Sequence, residues 1–215
     1  MQLTLHYHPL SSFCHKVLIA LYENGVAFVP QLVDLGDPAQ RAAFRQLWPI
    51  GKFPVLRDEA RSVTVAESTI IIEYLQQHLP GRLDLIPDEP ELALATRRLD
   101  RLLDLYVHLP MQKIVGDRLR PEAHHDPHGV EDARLTMRTA LDLLERELAG
   151  RTWANGGQFS LADCAAAPAL FYANKLMPIA EGHPRVSAYL QRLMQRPSHA
   201  RVLSEAEPYF HMFPA

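Results

Sequence analysis

Apolar residues at positions 3, 5 and 7 alternate with polar ones at 2, 4 and 6, the period of a half-buried strand. From residue 12 the period lengthens. Val17, Leu18, Leu21 and Tyr22 recur as on one helix face and Gly25 supplies a stop, which predicts a helix over residues 12–24. Residues 26–33 read as a second strand, in which Pro30 suits an edge or a bulge. A short polar helix follows over 38–47. Strands are predicted over 53–56 and 62–65, joined as a hairpin by the polar turn 57–61, and a helix over 69–79 ends at Pro80–Gly81. The order β-α-β-α-β-β-α implies a parallel first pair with a right-handed crossover and an antiparallel strand added by the hairpin.

Beyond residue 80 the strand signal stops. Residues 80–90 hold three prolines and a glycine and read as a linker. Leu92, Leu99, Leu102, Leu103, Tyr106 and Leu109 then form a helical stripe up to Pro110. Met137, Leu141, Leu144 and Leu148 form another, stopped by Gly150, and 161–173 and 186–194 give two more. The predicted fold class is α/β plus all-α: a small α/β domain over residues 1–80, a linker over 81–90, and an all-helical domain over 91–215.

Composition narrows the function classes. Hydrophobic residues make up 47% of the 215, enough for a substantial core. The net charge of −3 comes with no basic stripe, which argues against a nucleic-acid partner. No apolar run approaches the ~20 residues that span a bilayer, and the first residues lack the pattern of a signal peptide, so no membrane partner and a cytoplasmic location are expected. Two cysteines, Cys14 and Cys164, are too few for a disulfide scaffold.

Four stretches carry candidate chemistry. The first is HPLSSFCHKV, residues 8–17, at the handover from the first strand to the first helix. A helix N-terminus offers unpaired N–H groups and partial positive charge, which favour an anion such as a thiolate. Ser11 or Ser12 would donate a hydrogen bond to it, or would simply cap the helix. His15 and Lys16 read as a solvated helix face, and Cys14 as a small buried hydrophobe. The second is GKFPVL, in which Phe53–Pro54 is a candidate cis bond that would turn the Phe53 backbone toward a peptide ligand; a trans proline on an edge strand is the alternative. The third is Glu67–Ser68, a second helix N-terminus able to hold a carboxylate. The fourth is FSLAD, residues 159–163, in which Ser160 and Asp163 have capping-box spacing and a structural role. His124, His125 and His128 cluster in a loop without cysteine, and no metal is assigned to them.

Taken together, SSFCHKV in the first turn, KFPVL opening a strand, ES opening the third helix and FSLAD in a helical second domain resemble the soluble glutathione transferases over essentially the whole chain. The likeness is to the serine-type bacterial and plant enzymes, with some to the zeta class. It implies a thioredoxin-like N-terminal domain, an all-helical C-terminal domain, glutathione as co-substrate, no metal, and a homodimer. The family's catalytic serine falls six residues before Val17, at Ser11, with Ser12 in an assisting position. The resemblance assigns the Phe53 backbone beside Pro54 to the cysteinyl part of glutathione, Glu67 and Ser68 to the γ-glutamyl end, and Lys52 to the glycyl carboxylate. Leu10, Tyr106, Met111 and Ile114, with residues 209–213, are expected to wall the cleft for an apolar electrophile. Cys14 matches the second cysteine of a thioredoxin motif whose attacking cysteine is replaced by Ser11. The expected activity is transfer of an alkyl or aryl group to glutathione through a stabilised thiolate. The alternatives are a cis–trans isomerase of the maleylacetoacetate type, a thiol transferase working through Cys14, and a non-catalytic glutathione-binding scaffold.

Overall fold

The computed structural model describes residues 2–214. Four strands, β1 (Leu3–Tyr7), β2 (Val29–Leu32), β3 (Val55–Asp58) and β4 (Val63–Ala66), form one sheet in the order β2-β1-β3-β4. β1 runs parallel to β2 and antiparallel to β3, and β3 and β4 form the expected hairpin. The second strand is shorter than its apolar pattern suggests. It lies wholly exposed at the sheet edge, where Pro30 costs no ladder bond needed by a further strand.

Helices α1 (Ser12–Asn24), α2 (Pro38–Leu47) and α3 (Ser68–His78) complete the first unit. Consecutive β3 residues serve opposite faces of the sheet, as the strand period requires. Leu56 joins Leu3, Leu5, Val17, Leu21, Ile71 and Ile72 in the main core, whereas Val55 meets Val33 and Phe44 of α2 in a small second cluster. α1 starts at the Ser11 cap and ends at Gly25, which adopts φ +63° and returns its N–H to the last turn.

The second unit is helical: α4 (Pro90–Leu103), a π turn (Asp104–His108), α5 (Leu109–Arg118), α6 (Pro127–Glu147), α7 (Leu161–Leu176), α8 (Pro184–Gln195), α9 (Pro197–Ala206) and a closing 3₁₀ turn (Glu207–Met212). The chain does not stop at Pro110. The Leu109 N–H reaches back five residues to the Asp104 carbonyl, and this widened turn carries the helix past a proline that has no N–H of its own. α9 has too sparse an apolar stripe to read from sequence, since few of its residues are buried. The FSLAD motif is a helix start as expected. Asp163 is fully buried and accepts from the Ser160 N–H and hydroxyl, the Ala154 N–H and the Tyr189 hydroxyl. No helix of the described residues is long and apolar enough to cross a membrane.

The packing overturns one expectation. His15 and Lys16 are not on a solvated face; both are fully buried. α1 lies between α3 of its own unit and α7 and α9 of the second, so the face that would meet water is covered. His108 on the π turn and His199 on α9 are buried as well. Burial lowers the pKa of all three, to about 3 for His15, to about 4 for His199, and downward for His108 despite the neighbouring Asp104.

The unfolded chain takes up these protons below about pH 6.5, whereas the folded chain does not until far lower. Stability is therefore complete above about pH 6.5 and falls toward pH 4, by about 1.4 kcal/mol per pH unit for each histidine. Urea unfolding midpoints measured across this range should decline with acidification, and His199→Phe should make the decline shallower. A midpoint independent of pH would contradict neutral buried histidines.

Candidate functional site

β1 leads through His8–Leu10 into the Ser11 cap. The Ser11 N–H donates to the His8 carbonyl at 3.0 Å, and the Ser11 Oγ accepts from the Cys14 N–H at 3.3 Å. The cap uses a lone pair of the hydroxyl and leaves its proton to be donated. Ser11 also lines a cleft of about 640 Å³, within the range of small-molecule sites. Helix cap and anion donor are thus not rival roles for this oxygen. Ser12 is placed differently: it is buried and absent from the cleft wall. One step along a helix turns the side chain by about 100°, which carries Ser12 inward.

The other expected glutathione residues do converge. Lys52, Phe53, Pro54, Glu67 and Ser68 all line the same cleft. The Phe53–Pro54 bond is cis, and Phe53 stands just ahead of β3. Glu67 precedes α3 with φ +68°, a conformation that costs a non-glycine residue about 1–3 kcal/mol. Its side chain makes no capping bond, so the carboxylate is not spent on the helix it introduces. The starts of α1 and α3 therefore both face one cavity, with exposed Lys52 beside them.

The far wall differs from the expected one. Leu10 is half-buried outside the cleft, Tyr106 is 52% exposed and points elsewhere, and Met111 and Ile114 are core residues. Leu105, Leu109 and Gln112 line the cleft instead, together with Phe13, Leu35, Ile50 and Ile70. The π turn explains the error. It inserts about one extra residue into the helical repeat, so the core stripe through Leu99 and Leu103 resumes at Val107, Met111 and Ile114 rather than at Tyr106. Residues 209–213 lie behind the first turn. Tyr209 meets the His8 ring edge-on at 5.5 Å, and His8 stacks on Phe53 at 6.0 Å.

Sequence reasoning also missed the charged wall. Thr69, Arg101 and Asp104 line the cleft, and buried Lys16 and Asp100 lie behind them. Lys16 Nζ stands 2.6 Å from Asp100 Oδ1 and 2.7 Å from Asp104 Oδ2, and donates to Thr69 Oγ1 at 2.9 Å. Arg101 donates to Asp100, Asp104 and Thr69. Burial alone would raise the Asp104 pKa, but His108 and Lys16 hold it down to about 2. Removing one partner of such a buried pair typically costs about 3–5 kcal/mol. No local pattern announces these residues.

Cys14 is fully buried, and burial pushes its thiol up to about 12 although Ser11 and His8 oppose the shift. Cys164 is shifted upward for the same reason. The loop histidines have separate partners: His125 meets the Arg120 carbonyl and His128 pairs with Asp132. Among the described residues no three His, Cys, Asp or Glu side chains form a group able to hold a metal ion.

Comparison with known proteins agrees with this architecture. Residues 5–83 match the family model for the glutathione S-transferase N-terminal domain, and residues 127–192 match that for the C-terminal domain. The chain is 29% identical to a stringent starvation protein A homolog of Haemophilus influenzae, over 96% of this chain and 92% of the relative. It is 27% identical to the dichloromethane dehalogenase of Methylorubrum extorquens, over 94% of this chain and 74% of that one. A glutathione transferase family member from Pseudomonas fluorescens, solved with bound glutathione, superposes with a TM-score of 0.80 at 28% identity, covering 93% of this chain and 98% of that one.

The burial of both thiols has a direct chemical consequence. A disulfide-forming thiol reagent at neutral pH should label neither cysteine of the native protein within the time that labels both after denaturation. Rapid native labelling of Cys14 would contradict the buried, protonated thiol described above.

Proposed function

Because the chain belongs to the glutathione S-transferase family, we propose that it is a glutathione transferase that activates the thiol of glutathione through Ser11 for attack on a small, mostly apolar electrophile. The observation that carries this reading is the position of the Ser11 hydroxyl: at the start of α1, on the cleft wall, opposite the start of α3.

A free thiol has a pKa near 8.5 and is mostly protonated at neutral pH. Lowering it by two units needs about 2.7 kcal/mol of preference for the anion. One hydrogen bond to a charged acceptor supplies about 1.5–3 kcal/mol, and a helix N-terminus adds about 0.3–1 kcal/mol. Ser11 and α1 together therefore meet the requirement. In this reading the Phe53 backbone pairs with the cysteinyl part of glutathione, Glu67 and Ser68 hold its γ-glutamyl end, and Lys52 faces the glycyl carboxylate. The electrophile rests against Phe13, Leu105 and Leu109, with Gln112 as a polar contact. The thiolate sulfur forms a bond to the electrophilic carbon, and the leaving group departs with the pair of electrons it shared. Apolar side chains left exposed on α3 and the following helices, among them Ile70, Leu94 and Tyr106, support assembly as a homodimer.

A second reading, a glutathione-binding protein without turnover, is favoured by the likeness to stringent starvation protein A homologs. The isomerase alternative is less well supported. A diacid substrate calls for free basic groups, and Arg101, one of the two basic side chains lining the cleft, is engaged by Asp100 and Asp104.

The test is conjugation of glutathione to an aryl halide by wild type and three variants. Ser11→Ala should lose about ten- to hundredfold in kcat/KM, the worth of one charge-assisted hydrogen bond. Ser12→Ala and Cys14→Ala should stay within severalfold of wild type, since neither side chain reaches the cleft. A loss confined to Cys14→Ala would overturn the serine assignment, and tight glutathione binding with no turnover would favour the second reading.

A further inference from the structure

Lys16 is an unusual residue to find with no exposed surface. Its ammonium has three N–H groups and three oxygen partners, each on a different segment: Thr69 on α3, Asp100 on α4 and Asp104 on the π turn. Thr69 is used just as fully. Its hydroxyl donates to Asp100 Oδ2 at 2.8 Å and accepts from Lys16 at 2.9 Å and from Arg101 Nη2 at 2.7 Å. That exhausts one proton and two lone pairs, so the position of the hydroxyl is over-determined. Two cations and two carboxylates leave the group neutral.

Stability alone is a poor reason for such a cluster. A buried ion pair roughly breaks even against apolar side chains of similar volume, because desolvation offsets attraction. What distinguishes it is direction, since charged hydrogen bonds fix angles and distances that apolar contacts do not. The cluster also lies where position matters. Lys16 follows Ser11 by five residues on α1, about 7.5 Å along the helix axis. Thr69 follows Glu67 and Ser68 directly and lines the same cleft.

We propose that Lys16 is a positioning residue for glutathione: from behind the cleft it locks Thr69, and with it the Glu67–Ser68 start of α3, at a fixed separation from Ser11 on its own helix. This rests on the glutathione site proposed above. Lys16 touches no substrate and acts through Thr69. The cost of losing it falls on capture of glutathione, whose γ-glutamyl end and sulfur must be met at once, and not on the apolar wall that receives the electrophile.

The experiment uses the charge-balanced double variant Lys16→Met/Asp100→Asn. It removes one buried cation and one buried anion, keeps the Arg101–Asp104 pair, and changes no residue on the cleft wall. With an aryl halide as electrophile, its KM for glutathione should rise about tenfold or more while its KM for the halide stays within about twofold. A residue that merely supports the fold would lower the melting temperature without this split. If the double variant does not fold, Thr69→Val takes its place and should show the same split, with Thr69→Ser restoring wild-type behaviour. A folded variant with unchanged KM for glutathione overturns this inference and leaves the proposed function standing. A wild-type protein that neither binds nor conjugates glutathione overturns both.

Discussion

The buried ammonium of Lys16 is the point at which the two halves of this molecule are held to a common frame. Helix α1 carries the Ser11 hydroxyl, α3 begins with Glu67 and Ser68, and α4 with its π turn supplies the charged part of the opposite wall. Each of these elements is rigid, but nothing within any one of them sets its distance from the others. Lys16 touches all three through oxygens less than 3 Å away. Apolar packing of α1 against α7 and α9 excludes water from the ammonium, and in the absence of water its geometry is dictated by its partners.

Around that frame, the cleft solves an electrostatic problem by simple means. An anionic tripeptide must be held in water and its sulfur deprotonated at neutral pH. Two helix starts facing one cavity provide partial positive charge where the anion would sit, without the desolvation cost of burying more full cations. The Ser11 oxygen completes its helix and still keeps its proton. Cys14, three residues on, shows the opposite environment: the same helix start does not lower its pKa, because desolvation in the core outweighs every favourable contact. Position relative to the cleft, rather than residue type, separates an anion-stabilising hydroxyl from an inert thiol.

What could be read from the sequence follows from how local each feature is. The start and stop of α1, the FSLAD helix start, the β3–β4 hairpin and the convergence of Ser11, Phe53–Pro54 and Glu67–Ser68 all depend on residues close together in the chain or on motifs in a fixed order. The burial of Lys16 depends on residues 53 and 88 positions away, so a period taken along one helix mistook a covered face for a wet one. The π turn is illegible for a different reason. A single widened turn shifts the phase of everything after it, which exchanged Tyr106, Met111 and Ile114 for Leu105, Leu109 and Gln112 on the cleft wall. α9 was missed because it packs by two or three side chains rather than by a continuous stripe.

Thiolate activation by Ser11 is open to one direct measurement, the titration of glutathione bound to the protein, followed by the ultraviolet absorbance of its thiolate. In complex with wild type the thiol should ionise about one to two units below the value near 8.5 of a free thiol. In complex with Ser11→Ala it should return most of the way. A bound thiol that ionises as it does in free solution, or one whose pKa is the same with and without the Ser11 hydroxyl, would contradict the role given to that residue.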